Sequence, residues 1–204
     1  SFFSLYANID NFNNKEKAII LNDRAELDRW IISELNSLIT IVDKSYEEYE
    51  PTKAARSISE FTLEKLSNWY VRLCRRRFWK GDYEKDKIAA YQTLFECLLT
   101  ISKLIAPIAP FFSDSLYKNL TENSFSEKFE SVHLSEFPSA KKEFIDSELE
   151  SQINKARNIT SLALSLRKKE QIKVRQPLEK LIIAVNSPYE KEQIERIKSQ
   201  VANE

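Results

Sequence analysis

Apolar residues recur at Leu27, Trp30, Ile31, Leu35, Leu38, Val42, Tyr46 and Tyr49, the spacing of one face of an α-helix. Asp23 followed three residues later by Glu26 reads as a variant capping box, so this first complete helix is predicted to run from Asp23 to about Glu50. Pro51 suits the first turn of a second helix, with a core stripe through Ile58, Thr62, Leu66, Trp69 and Leu73, ended by Lys80-Gly81. A third helix, apolar at Ile88, Tyr91, Phe95, Leu98 and Ile105, should stop near Pro107, and Pro110 permits a short fourth through Leu120. Residues 121–141 form a polar loop in which Val132, Leu134 and Phe137 should dip back to the bundle. A fifth helix, about Lys142 to Glu170, is apolar at Ile145, Leu149, Ile153, Ala156, Ile159, Ala163 and Leu166.

The pattern changes at both ends. Residues 1–10 read as the tail of a helix, followed by a polar, asparagine-rich connector over 11–22. After Pro177, Leu181-Ile182-Ile183-Ala184-Val185 has the β-branched character of a strand, and Ser187-Pro188 introduces an amphipathic helix toward the terminus. The expected architecture is therefore mainly α: a bundle of about five helices over 1–170, then a linker and an incomplete α/β appendage over 171–204. A lone strand leaves its backbone groups unpaired, so its partners are expected elsewhere in a longer parent. The absence of methionine and the mid-pattern start at Ser1-Phe2-Phe3 suggest an excised fragment.

Composition sharpens this reading. One glycine in 204 residues disfavours hairpin-rich β architecture. Lys+Arg and Asp+Glu both total 31, so attraction to a polyanion must come from local patches. Cys74 and Cys97 have neither a close spacing nor histidine companions for a zinc site, and a reducing cytoplasm fits them. His133 is the sole histidine, which rules out a His-pair metal site and reads as a structural loop residue. No run approaches the 18 or more apolar residues of a membrane span, and no catalytic constellation or phosphate-cradling glycine loop is present.

The candidate chemistry is concentrated between Asn68 and Lys80, where four arginines, a lysine and four aromatics occupy thirteen positions without an acidic residue. On a helix wheel at about 100° per residue, Asn68, Arg72, Arg75 and Trp79 share one stripe, between a flank of Thr62, Leu66, Trp69 and Leu73 and another of Val71, Cys74 and Phe78; Arg76 is a further candidate contact. Guanidinium forks bind phosphates or stack on bases, an amide pairs with a base edge, and an indole supports an everted base. The competing reading is an ordinary solvated face, balanced by Asp43, Glu47, Glu48 and Glu50 of the preceding helix, with Trp79 closing the core. Lys173 and Arg175, in an extended basic segment, could grip RNA backbone or merely form a wet hinge.

Leu66-Ser67-Asn68-Trp69-Tyr70-Val71-Arg72, with Arg75, Arg77 and Phe78-Trp79, resembles the helix signature of the anticodon-binding domain of isoleucyl-tRNA synthetase. Ser1 to Asp10, Leu27-Asp28-Arg29-Trp30-Ile31, Ala106 to Phe112, Ser131-Val132-His133-Leu134 and Ile172 to Leu178 resemble further segments of it in the same order. The resemblance implies a helical bundle that holds a tRNA anticodon stem-loop, in a monomer whose separate catalytic domain uses ATP with Mg. Editing and zinc-binding parts would also lie elsewhere. By likeness to the methionyl enzyme, Trp79 is nominated to stack on an anticodon base, with Phe78 as the register alternative and Phe2 and Phe3 as weaker candidates. A valyl, leucyl or methionyl counterpart and a helical protein-interaction module remain alternatives.

Overall fold

The computed structural model describes residues 2–80, 82–122, 129–174, 176–185, 187, 191–192 and 194–198. Among them, helices follow one another in the order α1 (Phe2–Ile9), α2 (Glu26–Glu47), α3 (Pro51–Glu60), α4 (Arg72–Trp79), α5 (Lys85–Ile105), α6 (Pro110–Thr121) and α7 (Ser147–Lys169). Short 3-10 turns lie at Leu21–Asp23, Val132–Leu134 and Lys142–Phe144. Two compact units emerge, 1–146 and 147–204. Thus α7 groups with the residues after it, ahead of the division expected near 170. The cause is local: Ala163 and Leu164 of α7 line a cavity shared with Leu178, Leu181 and Ile194, and Arg167 donates to the carbonyls of Lys173 and Gln176 at 3.1 and 2.9 Å.

In the first unit α2 pairs with α3 and the helical segment beyond it, and α5 packs against α1, α2, α4 and α6. Trp30, Ile31, Leu35, Leu38 and Val42 are buried as their spacing predicts, and Tyr46 donates its hydroxyl to the Leu104 carbonyl at 2.9 Å. The stripe stops short of its last expected member, because Tyr49 is 92% exposed in a left-handed turn (φ 57°) that closes the helix before Pro51. Nor does Asp23 cap α2. The helix starts at Glu26 behind Ala25, and the Asp23 carboxylate bonds Lys85 at 2.9 Å instead. Val132 of the 131–141 loop is buried and Phe137 meets Tyr46 edge-on, while Leu134 stays in solvent.

The second helix is continuous from Pro51 to Trp79 but not uniform. Phe61–Val71 is wound as a π-helix, with i→i+5 bonding, between α3 and α4. Phe61 and Leu66, five apart, are therefore both buried, and from Tyr70, near the end of the π segment, Cys74 and Phe78 continue at i+4 and i+8 into the core. The helix α5 is long and apolar enough to cross a membrane by length and composition. Its burial among α1, α2, α4 and α6 is that of the central helix of a bundle.

The expected strand over 181–185 does not form: those residues carry no regular secondary structure, and no strand occurs among the described residues. Among the described residues no second strand completes its hydrogen bonds, and a lone strand leaves its backbone groups unpaired. Residues 191–192 and 194–198 are helical, as the amphipathic pattern predicts, while Pro188 lies outside the described residues. Gly81, the expected helix stop, also lies outside them, but Lys80 is already extended (φ −125°, ψ 145°).

Candidate nucleic-acid interface

The candidate face lies at the far end of the α2–α4 hairpin. Asn68, Arg72, Arg75, Arg76 and Trp79 are all exposed, with the Trp79 residue 56% open to solvent. By contrast the chain's other tryptophans, Trp30 and Trp69, are core residues. The exposure is dictated by the helix: Tyr70, Cys74 and Phe78 turn inward, so Arg72, Arg75, Arg76 and Trp79 turn out. A wheel drawn at 3.6 residues per turn does not hold through the π segment. Asn68, inside it, donates to Glu64 Oε1 at 3.4 Å, four residues back along its own helix.

Glu48 and Glu50 of the preceding helix and its turn are engaged by lysines. Glu48 accepts Lys44 at 3.7 Å and Lys53 at 3.6 Å, and Lys53 also reaches Glu50 at 3.9 Å, all at the hairpin turn. At about 1.5 Å per residue the path from Glu50 to Arg75 is roughly 35 Å, several screening lengths in physiological salt. Among the described residues neither Arg75 nor Arg76 has a carboxylate partner. Arg76 also lies in the last turn of α4, where a cation is favourable at the negative end of the helix dipole.

Two nominated aromatics are placed differently. Phe78 is 1% exposed, its ring edge-on to Phe2 at 5.3 Å and Tyr91 at 5.1 Å. A ring held on both sides in the core cannot support a splayed base, so Phe78 is a packing residue. Phe3 is half-buried in a cluster with Phe12, Tyr91 and Phe95, centroids 6.1–6.3 Å away. Its apolar period along α1 points it at α5, which makes Phe3 a packing residue too. Lys173 is exposed, and Arg175 lies outside the described residues.

The sequence reading missed a polar cluster beneath the face. Asp28, fully buried, accepts the Tyr70 hydroxyl at 2.5 Å and both Nη atoms of Arg77 at 2.8 Å. Arg77 in turn donates Nε and Nη2 to the Asp86 carboxylate, each at 2.9 Å, and Nη2 to its carbonyl at 2.9 Å. Burial by itself would depress the Arg77 pKa, but the hydrogen bonds and charge of Asp28 win and hold it above the ordinary arginine value. Burial, then the Asp28 charge, holds the Tyr70 phenol well above its usual range, and burial pushes the Cys74 thiol up to about 12. The available clue was Asp28 itself, a carboxylate wedged between Leu27 and Trp30-Ile31 on an otherwise apolar face.

Other candidates are structural. The His133 ring nitrogen Nε2 lies 3.2 Å from the Pro110 carbonyl, tying the loop to the start of α6. Both cysteines are free and buried, and no group of three potential metal ligands occurs among the described residues. The arrangement thus offers guanidiniums, an amide and an indole to a ligand, with no nucleophile or acid–base pair at the face.

Comparison with known proteins gives the family. The chain is 52% identical, along all 204 residues, to an isoleucine–tRNA ligase of Bacteroides thetaiotaomicron, of which it covers 18%. It is 49% identical over 203 residues to one from Porphyromonas gingivalis, covering 17% of it. Over 187 residues, 92% of the chain, it is 41% identical to one from Clostridium novyi, covering 18%. Residues 28–183, which include the whole basic helix and its partners, match the family described as the anticodon-binding domain of tRNA ligase. The chain belongs to that family of anticodon-binding domains.

Proposed function

We propose that the chain is the tRNA-binding part of an isoleucine–tRNA ligase and holds the anticodon stem-loop. The observation that carries this reading is the exposed row Arg72, Arg75, Arg76 and Trp79 at one end of a helical hairpin, in a family of anticodon-binding domains. The guanidiniums position the RNA through phosphates, which carry no sequence information, and Trp79 with Asn68 meets the splayed bases that do. Lys173 and Arg175 add backbone contacts from the segment after α7. Residues 1–146, the compact unit that carries the face, serve as the binding bundle.

Aminoacylation takes place on a catalytic domain of the same polypeptide, which uses ATP and Mg, in a monomeric cytoplasmic enzyme. What supports a larger parent ligase is the relatives' name and size, since the chain spans less than a fifth of the length of these two. The test is binding of the chain to purified tRNAs for isoleucine, valine, leucine and methionine. Selective retention of isoleucine tRNA is expected. Preference for another of the four would reassign the specificity, and a salt-insensitive interaction with protein alone would refute RNA binding.

A further inference from the structure

Of the four arginines in α4, Arg77 alone is turned inward, and it sits between the two residues that carry the exposed end, Arg76 and Trp79. Trp79 is the last helical residue, and the backbone turns extended at Lys80. A terminal helical turn frays unless side chains hold it. Here two do. Phe78 is packed between Phe2 and Tyr91, which sets the depth of the turn. Arg77 is held by carboxylates on two other helices, Asp28 near the start of α2 and Asp86 near the start of α5. A planar fork bonded on two edges fixes rotation as well as position, which a single apolar contact does not.

An ion pair with one fully buried member contributes little net stability over an apolar replacement, because desolvation offsets the attraction. Orientation is what such geometry supplies. We propose that Asp28 and Asp86, acting through Arg77, are positioning residues that aim Trp79 and Arg76 at the RNA. The Tyr70 hydroxyl, bonded to Asp28 at 2.5 Å, locks the carboxylate that Arg77 needs. This inference rests on the anticodon-binding reading above and names residues that touch no RNA themselves.

The experiment uses the full chain with an RNA hairpin copying the anticodon arm of an isoleucine-accepting tRNA. Binding is measured below the melting temperature of each variant for Arg77→Lys, Trp79→Ala, the double variant and Asp86→Asn. Arg77→Lys keeps the charge but loses the fork. It should weaken binding about 3–10-fold when Trp79 is present and less than about 2-fold in the Trp79→Ala background, the non-additivity expected of coupled groups. Asp86→Asn, on an exposed carboxylate, should fold normally and show the same dependence on Trp79. In 5-fluorotryptophan-labelled protein without RNA, the Trp79 fluorine resonance should move in Arg77→Lys while those of Trp30 and Trp69 stay. Equal losses with and without Trp79, or an unmoved Trp79 resonance, would overturn the positioning role and leave the functional reading intact. A Trp79→Ala variant that binds as well as the parent would overturn the positioning role too, whereas failure of the parent chain to bind the hairpin at all would overturn the functional reading.

Discussion

The substitution Asp28→Asn keeps the side chain's shape and removes its charge. The new amide would retain one acceptor oxygen but turn an NH2 donor toward a guanidinium that is itself a donor, so at least one of the two 2.8 Å bonds from Arg77 is lost. The Arg77 side chain, 17% exposed, would keep Asp86 but lose its buried counter-charge. Breaking a buried pair by removing one partner costs about 3–5 kcal/mol, and retention of Asp86 argues for the lower end, about 3 kcal/mol. In a domain of this size each kcal/mol lowers Tm by about 2–4 °C, so a fall of about 6–12 °C is expected. Asp86→Asn is the internal control: its side chain is 67% exposed, and an exposed pair contributes about 0–1 kcal/mol. Thermal and urea unfolding followed by circular dichroism on both variants gives the comparison. Equal, small shifts in the two would mean that Asp28 is not a keystone of the bundle, and the argument from burial would fail.

Trp79→Ala should cost about 1–3 kcal/mol of hairpin affinity, the usual value of one base stacked on an aromatic ring, while Tm changes by no more than about 2 °C; a collapse in melting would make Trp79 a core residue. Arg72→Ala and Arg75→Ala should each lower the slope of log K against log salt by about 0.7, the share of one single-strand phosphate, and unchanged slopes in both would remove the face from the binding site. Asp114 is held at about 2 by hydrogen bonds from Lys118 (2.7 Å), Ser131 (2.6 Å) and the Val132 amide (3.1 Å). Because its folded value lies below the ordinary carboxylate value, the stabilisation is complete above about pH 4 and disappears as pH falls toward 2; a carboxyl carbon titration with a midpoint near 4 would contradict the contacts. Burial raises both cysteine thiols, Cys74 to about 12, so neither should react with a disulfide reagent at pH 8 until the chain is unfolded.

Periodicity was sufficient to place the helices because each must bury a stripe, although the expected α7 stripe is buried at Leu149, Ile153 and Ala156 and runs out into solvent at Leu166. It failed where local pattern needs a distant partner. The strand over 181–185 had the right residues and nothing to pair with. Tyr49 continued an apolar series whose helix had already ended in a left-handed turn. The basic face was legible because a run of thirteen residues with four arginines, a lysine and no carboxylate within it is visible in a string of letters. Which aromatic faces outward was not, since Phe78 and Trp79 are adjacent and equally apolar.

The amino-acid order alone determined a helical bundle, a basic and aromatic helix, and a likeness extending through the whole chain to one kind of tRNA-binding domain. Only the tertiary structure decided that Phe78 packs inward while Trp79 stands in solvent, that the π-wound segment shifts the inward face by a residue, and that Arg77 belongs to Asp28 and Asp86. These depend on residues 49 positions apart meeting across a helical hairpin. A local repeat sets which face of a helix is apolar, but pairing between distant charges is set by where the helices end up.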